Sequence, residues 1–143
     1  MKFIISFLFL LTIISCTTEP QPLVAGKDEC YYCKMRVADT KFGAEIITVK
    51  GKLYKFDDIK CMIDFMNSEL LSDEKIKNLY AVNYTNSQVL LNVNESVFLK
   101  SSSLRSPMNS GTAAFQSRSE AKSFSNDFPG EILTWQQLQQ KLK

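Results

Sequence analysis

The segment that decides the fold is residues 56–66, with the sequence Phe-Asp-Asp-Ile-Lys-Cys-Met-Ile-Asp-Phe-Met. Asp57 or Asp58 can accept hydrogen bonds from the free backbone N–H groups of a first helical turn, so a helix is predicted to begin here. The apolar residues that follow recur at helical spacing and form one stripe: Ile59, Met62, Ile63 and Met66. Cys61 lies beside this stripe. The segment therefore predicts a short amphipathic helix with a thiol at its edge.

The residues on either side of this helix predict strands. Residues 44–49 are rich in β-branched side chains, residues 50–52 form a turn around Gly51, and residues 53–56 complete a hairpin. Residues 79–84 predict the next strand. The first half of the chain therefore has the order strand, strand, helix, strand.

The second half repeats this order. Strands are predicted at residues 88–93 and 96–100, followed by a polar loop and a short apolar segment that ends at Phe115. Ser117 and Glu120 have capping-box spacing and predict a second helix, which is followed by a strand at residues 131–133 and a last helix from Thr134. We therefore predict an α+β fold of two pseudo-repeated ββαβ units, residues 28–84 and 85–143.

The amino-terminal residues have the pattern of a bacterial secretory signal. Lys2 supplies positive charge, and residues 3–14 are almost wholly apolar but fall short of the ~20 residues that a transmembrane helix needs. Residues 13–16, Ile-Ile-Ser-Cys, resemble a lipobox, in which cleavage precedes a cysteine that becomes acylated. We predict a lipoprotein signal peptide at residues 1–15, lipidation at Cys16 and a tether at residues 16–27. An ordinary signal with an incidental cysteine is the alternative.

The composition limits the classes of function. The 17 basic residues nearly balance the 15 acidic ones and form no basic run, which argues against a nucleic-acid partner. The chain has no histidine, so it cannot build a Cys–His pair or a Ser–His–Asp triad. No phosphate-binding glycine loop occurs among its 5 glycines. We therefore expect a binding protein and not an enzyme.

Sulfur is the main source of metal-binding chemistry in this chain. If Cys16 is acylated, three of the 4 cysteines remain, an odd number in an oxidising compartment that indicates a reactive thiol or a metal site. Cys30, Cys33 and Met35 share one six-residue stretch, and Cys61 and Met108 follow later. Thiolate and thioether sulfur are soft donors that select Cu(I) over hard cations.

Several segments together resemble the NosL family, lipoprotein copper chaperones that serve nitrous-oxide reductase. The resemblance covers about residues 28–135 and the lipobox, and the order and spacing of the segments make it specific. The segments that carry it are Cys33-Lys34-Met35, Phe56-Asp57-Asp58, Cys61-Met62, Pro107-Met108 with Gly111, Ala114 and Phe115, Ala121, and Gly130-Glu131-Ile132-Leu133.

The resemblance implies a lipid-anchored, periplasm-facing protein that carries one Cu(I) ion. It implies delivery of copper for the copper centres of nitrous-oxide reductase, through a membrane transporter complex. The implied ligands are Cys33, Met35 and Met108, and the nearby thiols Cys30 and Cys61 are candidate accessory donors beyond the resemblance. The chain departs from the family pattern at Cys30, which adds a thiol, and at Lys34, where glycine is common. It also lacks any histidine that could act as an extra ligand.

Other interpretations of the cysteines stay open. Cys30 and Cys33 have the Cys-x-x-Cys spacing of extracytoplasmic thiol–disulfide oxidoreductases, although no strand is predicted before them and two acids precede them. They could also form a plain structural disulfide. A structural zinc site needs four ligands. Cys30, Cys33 and Cys61 would supply three of these, and a carboxylate would have to supply the fourth.

Lipid attachment at Cys16 is the first testable prediction. Several acyl chains on one residue make a stable membrane anchor, so the protein is expected in the membrane fraction. Mass spectrometry of that fraction should show an acylated amino-terminal Cys16. A soluble secreted product, cleaved at another position, would contradict this prediction.

Overall fold

The computed structural model describes residues 18–71 and 75–143. The predicted signal peptide at residues 1–15 and the predicted lipidation site Cys16 lie outside the described residues. The described strands are β1 (Ala44–Thr48), β2 (Leu53–Phe56), β3 (Ile76–Asn83), β4 (Asn86–Asn92), β5 (Val97–Lys100), β6 (Thr112–Phe115) and β7 (Glu131–Leu133). The described helices are α1 (Ile59–Asn67), α2 (Arg118–Phe124) and α3 (Trp135–Lys141). The predicted α+β class is confirmed. Within the described ranges, no helix is long and apolar enough to cross a membrane.

The strands form one sheet whose two halves have the same topology. The strand order is β2-β1-β3-β6-β5-β7, and β4 pairs with β3. In the first half, β1 lies between β2 and β3 and pairs antiparallel with both. In the second half, β5 lies between β6 and β7 and pairs antiparallel with both. α1 connects β2 to β3 as α2 connects β6 to β7, so each half is a ββαβ unit.

One strand departs from the sequence-based arrangement. The sequence predicts a strand at residues 88–93 within the second unit, but β4 pairs antiparallel with β3 of the first. Only Tyr84 and Thr85 separate the two strands, and a turn this short joins antiparallel neighbours. The side chain of Asn83 stabilises the turn by accepting hydrogen bonds from the N–H and hydroxyl of Thr85. Within the sheet, the two units are joined by one parallel pair, Asn83 with Ala114.

The main core lies on one face of the sheet, under α1 and α3. It spans both units, because α1 contributes Phe65 while the strands of the second unit contribute Phe98 and Leu133. The predicted apolar stripe of α1 is confirmed, since Ile59, Met62 and Ile63 are buried and Met66 packs against them. α2 covers the opposite face of the second unit. The residues of this smaller cluster include Leu99, Leu104, Ala113, Phe115 and Ala121.

The described part of the predicted tether lies along the opposite face of the first unit. The hydroxyl of Thr18 donates to the carbonyl of Gly51 at 2.7 Å. Leu23 is buried with Val37 and Val82. Residues 18–23, which belong to the predicted tether at residues 16–27, are therefore docked on the domain. The physical reason is the apolar side chain of Leu23, whose burial stabilises the docked path.

Glu45 is a buried carboxyl group beneath this docked segment. Its Oε2 accepts a hydrogen bond from the backbone N–H of Gln21 at 3.1 Å, whereas its Oε1 has no hydrogen-bond partner among the described residues. Burial raises the pKa of Glu45 to about 7, and the negative charge of Asp28 adds to the rise. The Gln21 N–H and the Lys55 ammonium oppose this effect. The fold therefore favours the protonated form of Glu45.

The second prediction concerns the pH dependence of stability. The folded-state pKa of Glu45 lies above its ordinary value of 4.5. The contribution of protonated Glu45 to stability is therefore complete below pH 4.5 and is lost as the pH rises through about 7. Glu45→Gln removes the charge and keeps the shape. At a pH of about 8 the variant should exceed the parent in free energy of unfolding by about 3 kcal/mol, and near pH 4 the two should agree.

Urea titrations at both pH values measure this difference. Glu19→Gln is the control, because Glu19 is an exposed glutamate on the same docked segment. A difference between Glu45→Gln and the parent that does not change with pH would contradict the prediction.

Candidate metal centre

The sulfur-rich stretch forms the tip of a short hairpin. Glu29 and Arg36 face each other in an antiparallel bridge. The N–H of Cys30 donates to the carbonyl of Met35 at 2.8 Å, and the N–H of Lys34 donates to the carbonyl of Cys30 at 3.0 Å. Lys34 has a φ of 63°, in the left-handed region that glycine adopts without strain. This backbone conformation explains why glycine suits the position that Lys34 occupies here.

The hairpin tip is attached to β2 and α1. The backbone N–H of Tyr31 donates to the carbonyl of Lys55 at 2.8 Å. The ring of Tyr31 packs edge-on against the rings of Tyr54 and Phe65, with centroids 4.5 and 5.3 Å away. These contacts hold the two cysteines of the tip over the start of α1.

Four potential metal ligands converge beneath the tip. They are the thiols of Cys30, Cys33 and Cys61 and the carboxylate of Asp57, whose ligand atoms all lie within 4.8 Å of one another. The three thiols are free, and the Cys33 thiol donates to Oδ1 of Asp57 at 3.7 Å. Metal–thiolate bonds of about 2.3 Å place sulfur atoms roughly 4 Å apart around an ion. The four side chains can therefore close on a metal ion with small movements.

The thiols change one another's ionisation. The pKa of Cys30 is lowered to about 6, chiefly because the Cys61 thiol hydrogen-bonds to its sulfur, and the backbone N–H groups of Cys33 and Asp57 help against the effect of burial. Burial raises the pKa of Cys33 to about 11, and its neighbours Cys30 and Asp57 add to the rise. The hydrogen bond to Cys30, together with burial, also raises the pKa of Cys61. Cys30 is therefore the most acidic of the three thiols.

The two predicted methionine ligands occupy different environments. Met108 is partly buried and packs against the main core cluster, which includes Cys30 and Cys61. Met35, in contrast, is 54% exposed. The structure thus brings the three thiols together, places Met108 against the same core, and leaves Met35 at the surface.

Asp58 connects Met108 to the start of α1. Its Oδ1 accepts the N–H of Lys60 at 2.9 Å as the helix N-cap, and its Oδ2 accepts the N–H of Met108 at 3.0 Å. Asp57 is then free to face the thiols. It is the potential ligand that sequence analysis missed, because two adjacent aspartates are equally good cap candidates. The sequence does offer one indication, because a four-ligand metal site built on three thiols needs a fourth donor.

The comparison with known proteins agrees with this fold. The family model named NosL matches residues 22–143. The chain belongs to the NosL family. The crystal structure of the copper chaperone NosL from Shewanella denitrificans matches it with a TM-score of 0.69 and 18% sequence identity, over 83% of this chain and 94% of that chain. That match shows a shared fold. No curated protein matches this chain in sequence.

The third prediction tests the double role of Asp58 in this NosL protein. Asp58→Ala removes a helix cap, at about 1 kcal/mol, and leaves the Met108 N–H without its charged acceptor, at about 1.5–3 kcal/mol. Asp58→Asn keeps one acceptor oxygen, so it should retain the cap and lose the bond to Met108. The free energy of unfolding of Asp58→Asn should therefore lie between that of the parent and that of Asp58→Ala.

Urea unfolding measures all three proteins, and Asp127→Ala at an exposed position serves as the control. If Asp58→Ala costs no more than the control, the carboxylate does not hold the two units as the structure indicates.

Proposed function

We propose that this NosL-family protein is a Cu(I)-binding chaperone. The observation that carries the proposal is the convergence of three free thiols, Cys30, Cys33 and Cys61, at one end of the core. Soft sulfur donors suit Cu(I) better than hard cations, and the chain has no histidine to offer instead. The ion is cargo in this proposal, so the site must both hold it and release it.

Release requires ligands that a partner can reach. Cys33 is only partly buried, and Met35 is 54% exposed. We propose Cys33, Met35 and Met108 as the set that presents one Cu(I) ion to a partner. The single thiolate supplies charge, while the two neutral thioethers can be exchanged one at a time.

The proposed client is nitrous-oxide reductase, whose copper centres the ion would help to assemble. Membership in the NosL family and the fold shared with a protein described as a copper chaperone support this client. We further propose that acylation of Cys16 anchors the protein outside the cytoplasmic membrane, where a membrane transporter complex supplies or receives the copper.

A carrier role fits the cysteines better than thiol–disulfide exchange does. In exchange, a thiolate must reach a substrate disulfide, so the attacking sulfur needs access to solvent. Cys30 is completely buried beneath the hairpin tip. Cys33 can be reached, but it lies in a hairpin and not at the start of a helix, where catalytic Cys-x-x-Cys motifs are activated.

Structural zinc binding is a second candidate because of one observation. Asp57 provides the fourth ligand that three cysteines need for a tetrahedral zinc site. Zinc accepts carboxylate oxygen readily, whereas Cu(I) prefers sulfur. Competition between the two metals for the parent protein decides between the candidates.

The fourth prediction is that Cys33→Ser abolishes tight Cu(I) binding. Loss of an indirect supporting contact at a metal site costs about 10–100-fold in affinity, so loss of a ligand should cost at least as much. Anaerobic titration against a Cu(I) chelator measures the affinity. Met66→Leu on α1 is the control, because it removes a thioether that packs against the core outside the proposed set.

The same preparations test the client. Copper-loaded parent protein is mixed with copper-free nitrous-oxide reductase, and the reductase should carry copper after the two are separated. Cys33→Ser should deliver none. If the parent prefers zinc when both metals are supplied, the structural zinc candidate replaces the chaperone.

A further inference from the structure

We infer that the domain holds Cu(I) in two alternative positions that share Cys33. The inner position is formed by the thiols of Cys30, Cys33 and Cys61, and the outer position by Cys33, Met35 and Met108. The inference rests on the proposed function, which supplies the ion and the outer set. The inner set comes from the geometry of the described residues.

The inner position is a complete Cu(I) site by donor count. The three sulfur atoms lie within 4.8 Å of one another, and Cys30 and Cys61 are both 0% exposed. Three sulfurs suffice for Cu(I), which needs no oxygen ligand. On binding, each thiol that still carries a proton gives it to solvent, and copper stays in the +1 state. No electron is transferred and no disulfide forms.

Charge makes the inner position the tighter one. Its thiolates attract the cation directly, and burial strengthens that attraction because the local dielectric is low. In the outer position only Cys33 carries charge, since the sulfurs of Met35 and Met108 are neutral. Solvent exposure increases from the inner ligands to the outer ones. Cys30 and Cys61 are buried, Cys33 is partly buried, and Met35 is 54% exposed.

Asp57 keeps the binding of Cu(I) at the inner position reversible. Its carboxylate lies next to the thiols, and like charges held this close oppose the ionised state of each. It accepts the Cys33 S–H at 3.7 Å and so holds the shared ligand in place. When Cys33 turns outward with the ion, the thiols left behind take protons back from solvent, which relieves their repulsion with Asp57.

The fifth prediction separates holding from transfer with two sets of variants. Cys61→Ser removes an inner ligand and leaves the outer set intact, so Cu(I) affinity should fall at least about tenfold. The double variant Met35→Leu with Met108→Leu removes two outer ligands and leaves the inner set intact, so it should release Cu(I) to a chelator more slowly than the parent does. X-ray absorption should still show three sulfur neighbours in the double variant.

Controls distinguish this inference from a failure to fold and from failure of the proposed function. Circular dichroism checks each fold, Cys30→Ser provides a second inner variant, and Met62→Leu provides a buried control beside Cys61. If the parent binds no Cu(I), the proposed function itself fails. If the parent binds Cu(I) but both inner variants match it, only the two-position inference fails. Two ions bound at once would also overturn it, because the positions share one thiol.

Discussion

The Asp58 carboxylate is the interaction on which the rest of this structure depends. It is fully buried, and its two oxygens bind groups that lie far apart in sequence, the N–H of Lys60 and that of Met108. A buried charge is costly unless it is hydrogen-bonded, so the start of α1 and the loop of the second unit stabilise each other. Asp57 precedes this residue and Cys61 follows in the first turn of α1. The placement of these two candidate metal ligands therefore depends on the same carboxylate.

The two ββαβ units share a topology but contribute differently to the centre. In the first, residues 49–52 connect the outer hairpin strands, whereas the equivalent connection in the second covers residues 101–111. The longer loop carries Met108. Gly111 closes it, with a φ of 59° and a position where a Cβ would lie 2.3 Å from the carbonyl oxygen of Ser101. The longer loop of the second unit thus brings Met108, a proposed ligand, to Asp58 of the first.

Sequence analysis succeeded where the signals are local. The apolar stripe of α1 follows from periodicity, and Thr134 caps α3 with Gln137 in a complete capping box. Ser117 also caps its helix as predicted, because its side chain accepts the N–H of Glu120. Only this half of the expected capping box forms, since the Glu120 side chain accepts the N–H of Gln116 instead of that of Ser117. The pairing of β4, the docking of Leu23 and the separate roles of Asp57 and Asp58 depend on long-range contacts. No spacing within a short segment encodes such contacts.

The same distinction applies to the sulfur chemistry. The Cys-x-Met stretch is visible in the sequence because its two donors are neighbours, whereas Cys61 joins Cys30 only when α1 packs under the hairpin tip. Burial then gives the sulfur donors different strengths. A buried thiolate attracts a cation strongly, whereas an exposed, neutral thioether attracts it weakly. A carrier needs both properties. On the proposed assignment, Cys33 lies at the boundary between them, and the added thiol of Cys30 strengthens the side that holds the ion.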